Sequence, residues 1–247
     1  MTVARVGIIG GTGLEGLAAA TDPVPERATP FGPASAEPQR GRVGTHEVVF
    51  LARHGQPHAV PPHLVNYRAN LWLLKKLGVE AVVATNAVGG IDRTLAPGHL
   101  VIPHQIIDYT WGRAHTFVEG GADSLVHVDF TEPYDTTLRA NLVAAALDGE
   151  PLPVHMSGVY GCTQGPRLES AAEIDRMEDD GCTVVGMTGM PEAALARELE
   201  LPYASVCLVV NDAAGRGAGP ITHEAIAHAV ATSGRHLVEL LGRFLAC

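Results

Sequence analysis

The sequence predicts an α/β protein: a central mixed β-sheet with helices packed on both faces. That expectation has three grounds. Short runs that are apolar on both faces, at residues 6–9, 81–85 and 203–210, alternate with segments of helical spacing. Apolar residues make up 46% and charged residues 18% of 247, a globular balance with ample material for a core. No internal repeat, charge block or linker breaks the alternation, so residues 1–247 are expected to form one domain.

The elements follow in order. Strand 6–9 ends at Gly10-Gly11. Residues 21–38 hold five Pro and little periodicity, and read as loop. Residues 42–51 carry a hairpin pattern turning at Gly44-Thr45. Val65, Ala69, Trp72, Leu73 and Leu77 fall at helical spacing, and Gly78 supplies the stop. Strand 81–85 leads into a loop at 86–90, and a short strand follows at 100–103. A helix is expected over 138–147. Strand 159–163, the turn Gln164-Gly165-Pro166 and a helix over 168–177 come next. Strand 184–187 precedes Pro191, which suits the first position of a helix ending near Leu199. Ile226, Val230, Leu237, Leu241 and Phe244 mark a closing helix after strand 203–210.

Charge and cysteine narrow the function. Lys plus Arg number 17 against 27 Asp plus Glu, a formal net charge of −10. So acidic a chain is a poor general binder of nucleic acid or anionic membrane. Four scattered Cys without a C-x-x-C argue against zinc and suit a reducing, cytoplasmic setting. The first residues lack a signal-peptide pattern, and no apolar run approaches the roughly 20 residues of a membrane span. Twelve His could serve metal, acid–base chemistry or anions, and their number does not choose.

Several motifs sit where strands end. Gly11-Thr12-Gly13-Leu14-Glu15-Gly16 matches G-x-G-x-x-G by letter. A dinucleotide site would need a helix directly after it, and Pro-rich sequence follows instead. The alternatives are a turn whose N–H groups and Thr12 hydroxyl face one phosphate, or a tight turn only. Arg53-His54-Gly55-Gln56-Pro57-His58 offers a guanidinium fork suited to an oxyanion. Gly55 and Pro57 forbid the helix that would put His54 and His58 on one metal-binding face. Asn86 and Ala87 lie just past a buried strand, as open α/β ligand sites do. Thr188 stands before a helix N-terminus, where it either caps the helix or meets an anion. Asn211-Asp212 is either a turn or a pair reading a ligand edge. Glu169 falls in the first turn of its expected helix, where the dipole alone would favour an acid. Cys162 and Cys207 sit in apolar strands and read as core. With hydroxyls, one Arg, His and glycine turns but no covalent nucleophile or metal cluster, the set fits attack by a bound inorganic anion.

Five motifs then converge, namely residues 7–14, 51–55, 65–70, 163–167 and 186–192, in chain order. Together they resemble the trimeric nucleoside phosphorylases, which include purine nucleoside phosphorylase and methylthioadenosine phosphorylase. The match is best with the bacterial branch acting on methylthioinosine. The resemblance implies a partly barrel-like sheet, a homotrimer with sites near subunit boundaries, and no metal or organic cofactor beyond phosphate as co-substrate. It implies that Thr12, Arg53, His54, Asn86 and Thr188 hold phosphate, and that Met187 packs on ribose. Ala87, Leu168, Glu169, Asn211, Asp212 and Ala213 would surround the purine, with Asn211 and Glu169 carrying the chemistry. His127 would reach the 5′ end of a neighbouring subunit's sugar. His223 aligns where purine nucleoside phosphorylase has a His for the 5′-hydroxyl, a departure from the methylthio branches. The adenosine-type branch has Asp at the place of Asn211, a second Asp at that of Ala213, and no acid at that of Glu169. The resemblance therefore implies a 6-oxopurine nucleoside as substrate, 5′-methylthioinosine before inosine or guanosine, with methylthioadenosine behind them. An NAD-dependent or non-catalytic nucleotide binder is the remaining alternative.

Overall fold

Alternating apolar side chains on both faces place the first strand in the middle of the sheet. Val6 and Ile8 point to one helical layer and Ile9 to the other, all buried. A computed structural model describes residues 4–10, 22–120 and 127–246. Its strands are β1 (Arg5–Gly10), β2 (Asp22–Pro23), β3 (Ala28–Thr29), β4 (Gly32–Pro33), β5 (Gln39–Val43), β6 (His46–Ala52) and β7 (Ala81–Gly90). They continue as β8 (Leu100–Val101), β9 (Gln105–Asp108), β10 (Val154–His155), β11 (Val159–Cys162), β12 (Val184–Gly186) and β13 (Tyr203–Asp212). The helices are α1 (Tyr67–Lys76), α2 (Thr136–Leu147), α3 (Ala171–Asp179), α4 (Glu192–Glu198) and α5 (His223–Ala246).

The main sheet runs β10-β8-β13-β7-β1-β6-β5-β2 and forks at β7 into β12, β11 and β9. Its centre, β13-β7-β1-β6, is parallel. The expected hairpin is present as antiparallel β5 and β6. On one face α2 and α5 bury Leu142, Leu237 and Leu241 against Val83, Val206 and Leu208. On the other, α1 and α4 bury Leu71, Leu74 and Leu195 against Val49, Leu51 and Val82. The mixed sheet flanked by helices is the architecture the sequence predicts.

Local chemistry sets the boundaries. The Asn66 side chain caps α1 by accepting from Ala69 N at 3.1 Å. Gly78, at φ +76°, takes the left-handed conformation that ends it. Ser170 and Glu173 form a reciprocal capping box at the start of α3. That helix therefore starts at Ala171 rather than 168, and Glu169 lies before the cap, outside the first turn. Pro191 is the N-cap of α4 rather than its first helical residue. The expected loop at 86–90 is strand: β7 outruns β1 there and pairs with β13 on one side and β12 on the other. Glycine is needed because a Cβ on Gly89 would meet Val185, Asn211 and Ala213 at 3.2–3.3 Å. The short β2, β3, β4, β9 and β10 fall where loop or no element was expected, being brief and in part polar.

Leu241 is fully buried between α5 and the sheet. Leu241→Ala is expected to destabilise the fold by about 2–5 kcal/mol through lost burial and a residual cavity. The urea-unfolding midpoint of the variant against the parent chain checks this.

Candidate active site

Parallel pairing brings the C-terminal ends of β1, β6, β7 and β13 to one edge of the sheet. Open α/β sheets bind ligands at that edge. A cavity of about 480 Å³ opens here. Its lining includes Arg53, His54, Asn86, Ala87, Leu168 and Glu169, together with Met187, Thr188, Asn211, Ala213 and His223. These are eleven of the fourteen residues singled out from the sequence. Thr12 lies outside the described residues. Asp212 does not line the cavity, since its carboxylate faces Gly217, where a Cβ would come within 2.9 Å of Oδ2. His127 is exposed and likewise absent from its own chain's lining.

Arg53 directly follows β6 and is 1% exposed. Its Nε and Nη2 donate to the two carboxylate oxygens of Glu192, each at 2.9 Å. Nη1 donates to Thr85 O at 2.9 Å and Nη2 to Ile9 O at 3.3 Å. Four of the five guanidinium N–H groups are thus donated inside the protein. Burial opposes the Arg53 charge, yet Glu192 holds its pKa above the ordinary value. Tyr203 Oη also donates to Glu192, at 2.9 Å. Most of the fork that suits an oxyanion is thus engaged inside the protein: Arg53 is held mainly by Glu192 and the strand ends, and its remaining edge lines the cavity.

Thr188 is not the cap of α4, which belongs to Pro191. Its Oγ instead accepts from Asn86 Nδ2 at 2.7 Å, and Asn86 Oδ1 accepts from Ser205 Oγ at 2.7 Å. Thr188 N donates to Tyr160 Oη at 3.3 Å. The Tyr160 ring packs so closely on Gly186 and Gly189 that a Cβ on either would overlap it.

Glu169 and Asn211 come to the cavity by different routes. Thr163 Oγ donates to Glu169 Oε1 at 2.6 Å, which fixes the carboxylate before α3 begins. In β13 the pairing register shifts between Val209 and Asn211. The extra residue breaks the strand's two-residue alternation, so Leu208, Val210 and Asn211 all reach one cavity. Asn211 Nδ2 donates to Asp212 O at 2.6 Å and keeps a second N–H.

Three His surround the mouth. His54 Nδ1 lies 2.8 Å from Val60 O. A carbonyl only accepts, so Nδ1 carries the proton. Burial, then Arg53, lowers the His54 pKa to about 4, so the ring is neutral at pH 7 and Nε2 is an acceptor. His58 stacks on His54 at 4.4 Å between centroids, and burial followed by His223 lowers its pKa. His223 opens α5. Cys162 and Cys207 are fully buried, and burial pushes both thiols up to about 12, as core residues. Among the described residues no group of three or more His, Cys, Asp or Glu could hold a metal ion.

The profile of the Phosphorylase superfamily matches residues 5–246. The chain belongs to that superfamily. It is 52% identical over 242 residues to a Pseudomonas syringae pv. tomato protein named "Probable S-methyl-5'-thioinosine phosphorylase", covering 97% of each. It is 44% identical to the "6-oxopurine nucleoside phosphorylase" of Pyrococcus furiosus, covering 96% of this chain and 90% of that one. A solved structure of methylthioadenosine phosphorylase from Schistosoma mansoni in complex with adenine superposes with a TM-score of 0.89 at 34% identity. The match covers 98% of this chain and 91% of that one.

Within this phosphorylase fold, sequence reasoning gave no role to Glu192, Tyr203, Ser205 or His58. A carboxylate opening the apolar run 193–196 was the available signal for Glu192. Its partner lies 139 positions away, which no local pattern reveals. Likewise Ile226, Val230 and Leu237 read only as core, yet they also line the cavity. Glu192→Gln leaves the buried Arg53 charge without its counter-charge. It is expected to destabilise the fold by about 3–5 kcal/mol. Chemical denaturation of the variant, alongside a Tyr203→Phe control that removes one neutral donor, measures the loss.

Proposed function

We propose that this chain cleaves 6-oxopurine nucleosides by phosphorolysis, with 5′-methylthioinosine as first substrate. The observation that carries the reading is one cavity with three kinds of wall. Thr188, Asn86 and the edge of Arg53 supply donors. Glu169 and Asn211 supply an acid and an amide. Leu208, Val210, Ile226, Val230 and Leu237 supply an apolar face. Its relatives named for methylthioinosine and 6-oxopurine nucleosides support the same assignment.

The chemistry follows from those walls. The C1′–N9 bond breaks with its electron pair leaving on the purine, and the sugar gains oxocarbenium character, as in glycoside hydrolysis. A phosphate oxygen then bonds to C1′. The protein's share is to hold the anion in line and stabilise charge on the departing base. The departing purine takes a proton at N7 from solvent; Asn211 accepts from that N7–H and donates to O6. Glu169 accepts from N1–H. Adenine turns an N1 lone pair toward Glu169 and an amino group where O6 stood. Each mismatched buried polar group costs about 1–3 kcal/mol.

The 5′ position has a second reading. His223 lines the same cavity and can hydrogen-bond a 5′-hydroxyl, which favours inosine or guanosine. The reading also includes a homotrimer in the cytoplasm that needs no cofactor besides phosphate. Exposed His127, outside its own cavity, suits donation to a neighbouring subunit. No helix among the described residues is long and apolar enough to cross a membrane.

The test is release of free base from methylthioinosine, inosine, guanosine and methylthioadenosine, each with and without phosphate. Phosphate-dependent release, fastest from methylthioinosine and slow from methylthioadenosine, is expected. Equal rates for methylthioadenosine and methylthioinosine would remove the 6-oxo assignment. Substituting His223→Met is expected to raise the kcat/KM ratio of methylthioinosine over inosine. An unchanged ratio would detach His223 from the 5′ group.

A further inference from the structure

Beneath the cavity floor, β13 carries Ser205, which is 1% exposed. Its hydroxyl donates to Asn86 Oδ1 at 2.7 Å, which leaves the amide's other end to face Thr188. Asn86 Nδ2 donates to Thr188 Oγ at 2.7 Å. A hydroxyl has one proton to give. With an acceptor lone pair of Thr188 occupied by Asn86, that proton is directed elsewhere, and Thr188 lines the cavity. The Thr188 backbone N–H is already spent on Tyr160 Oη, so the hydroxyl is the donor this residue has left for a ligand. Behind Ser205, Cys207 Sγ lies 3.6 Å from its Oγ. Because the Ser205 proton goes to Asn86, the thiol is the donor in that contact. Burial pushes the Cys207 thiol up to about 12, so its proton stays in place at neutral pH.

We propose that Ser205 is a positioning residue for phosphate: it fixes the Asn86 amide so that Thr188 presents its hydroxyl proton, not its lone pair, to the anion. Without the Ser205 hydroxyl, no other described residue donates to Asn86 Oδ1. The amide is then free to turn, and with Oδ1 toward Thr188 the hydroxyl proton is drawn inward. A lone pair would meet the phosphate in its place. The proposal rests on the phosphorolytic reading above, and goes beyond it by assigning a residue that does not line the cavity.

The experiment uses the full chain and measures KM for inorganic phosphate and for methylthioinosine in parallel, with melting temperatures for every variant. Wild type first establishes phosphate-dependent base release; its absence overturns the phosphorolytic reading itself. With that in hand, Ser205→Ala is expected to raise the phosphate KM about tenfold, the size of one lost neutral hydrogen bond at the upper end of its range. The methylthioinosine KM stays within about twofold, because the base-reading groups are untouched. Ser205→Thr, which keeps the hydroxyl, returns the phosphate KM toward wild type. Ser205→Cys, with a weaker donor, gives an intermediate rise and serves if the alanine variant does not fold. A folded Ser205→Ala or Ser205→Cys enzyme with an unchanged phosphate KM overturns the proposal. So does an equal rise in both KM values, which marks a merely structural role.

Discussion

The buried ion pair between Arg53 and Glu192 is the constraint on which the site's other positions depend. Arg53 leaves the end of β6, and Glu192 begins α4. Their doubly hydrogen-bonded contact ties the sheet to the helix that follows the Thr188 segment. The same guanidinium also donates to the Ile9 and Thr85 carbonyls of β1 and β7. Tyr203 at the start of β13 adds a bond to the carboxylate. Four strands and one helix therefore share a single polar node. Taking both charges from water costs several kcal/mol per ion, and the pair is tolerable because its partners satisfy nearly every donor and acceptor. Loss of one partner strands the other.

That node alters how an acidic chain can meet an anion. Among the described residues the cavity is lined by one guanidinium, whose charge is balanced at contact by Glu192. His54 is neutral at pH 7. In the described part of the cavity, then, net cationic charge is not what receives phosphate in the proposed reaction. Oriented dipoles are: the hydroxyl of Thr188, the amide chemistry of Asn86 and the remaining edge of Arg53. Donors held in fixed orientations act more strongly on an anion than the same groups do in bulk solvent. A chain of formal charge −10 can therefore still receive a small anionic co-substrate in the proposed reaction.

The sequence made the architecture legible wherever apolar runs and turn chemistry agreed. The β5–β6 hairpin, α1 between Asn66 and Gly78, and the buried runs of β1 and β13 all lie close to where periodicity puts them. It was less legible where a long-range partner overrides local composition. Residues 86–90 contain two glycines and look like a loop, but strands on both sides make them sheet. Leu168 and Glu169 have helical spacing, but the Ser170 capping box starts the helix after them. At the site, residue types facing a cavity could be named from strand ends. Which of them pair with each other could not. Arg53 looked available because Glu192 is invisible to local pattern, and the chain from Ser205 through Asn86 to Thr188 spans three separate segments.

The 5′ end of the proposed substrate shows how unequal the two kinds of selectivity are. Helix α5 offers His223 at its first residue and Ile226, Val230 and Leu237 along the side that meets the cavity. An apolar pocket gains only about 1–3 kcal/mol from an added apolar group, and it rejects a hydroxyl in that place only modestly. A group built to hydrogen-bond a hydroxyl discriminates more sharply, because without the hydroxyl it is left buried and unpaired. His223 escapes most of that penalty, since it is exposed and keeps access to water at the helix start. A methylthio group can therefore lie along Ile226 and Val230 without stranding the imidazole. Under the proposed function, the apolar stripe of α5 accepts the methylthio sugar while His223 still tolerates the hydroxylated one, so the methylthio preference that the proposal expects rests on apolar contact rather than on exclusion of the hydroxyl.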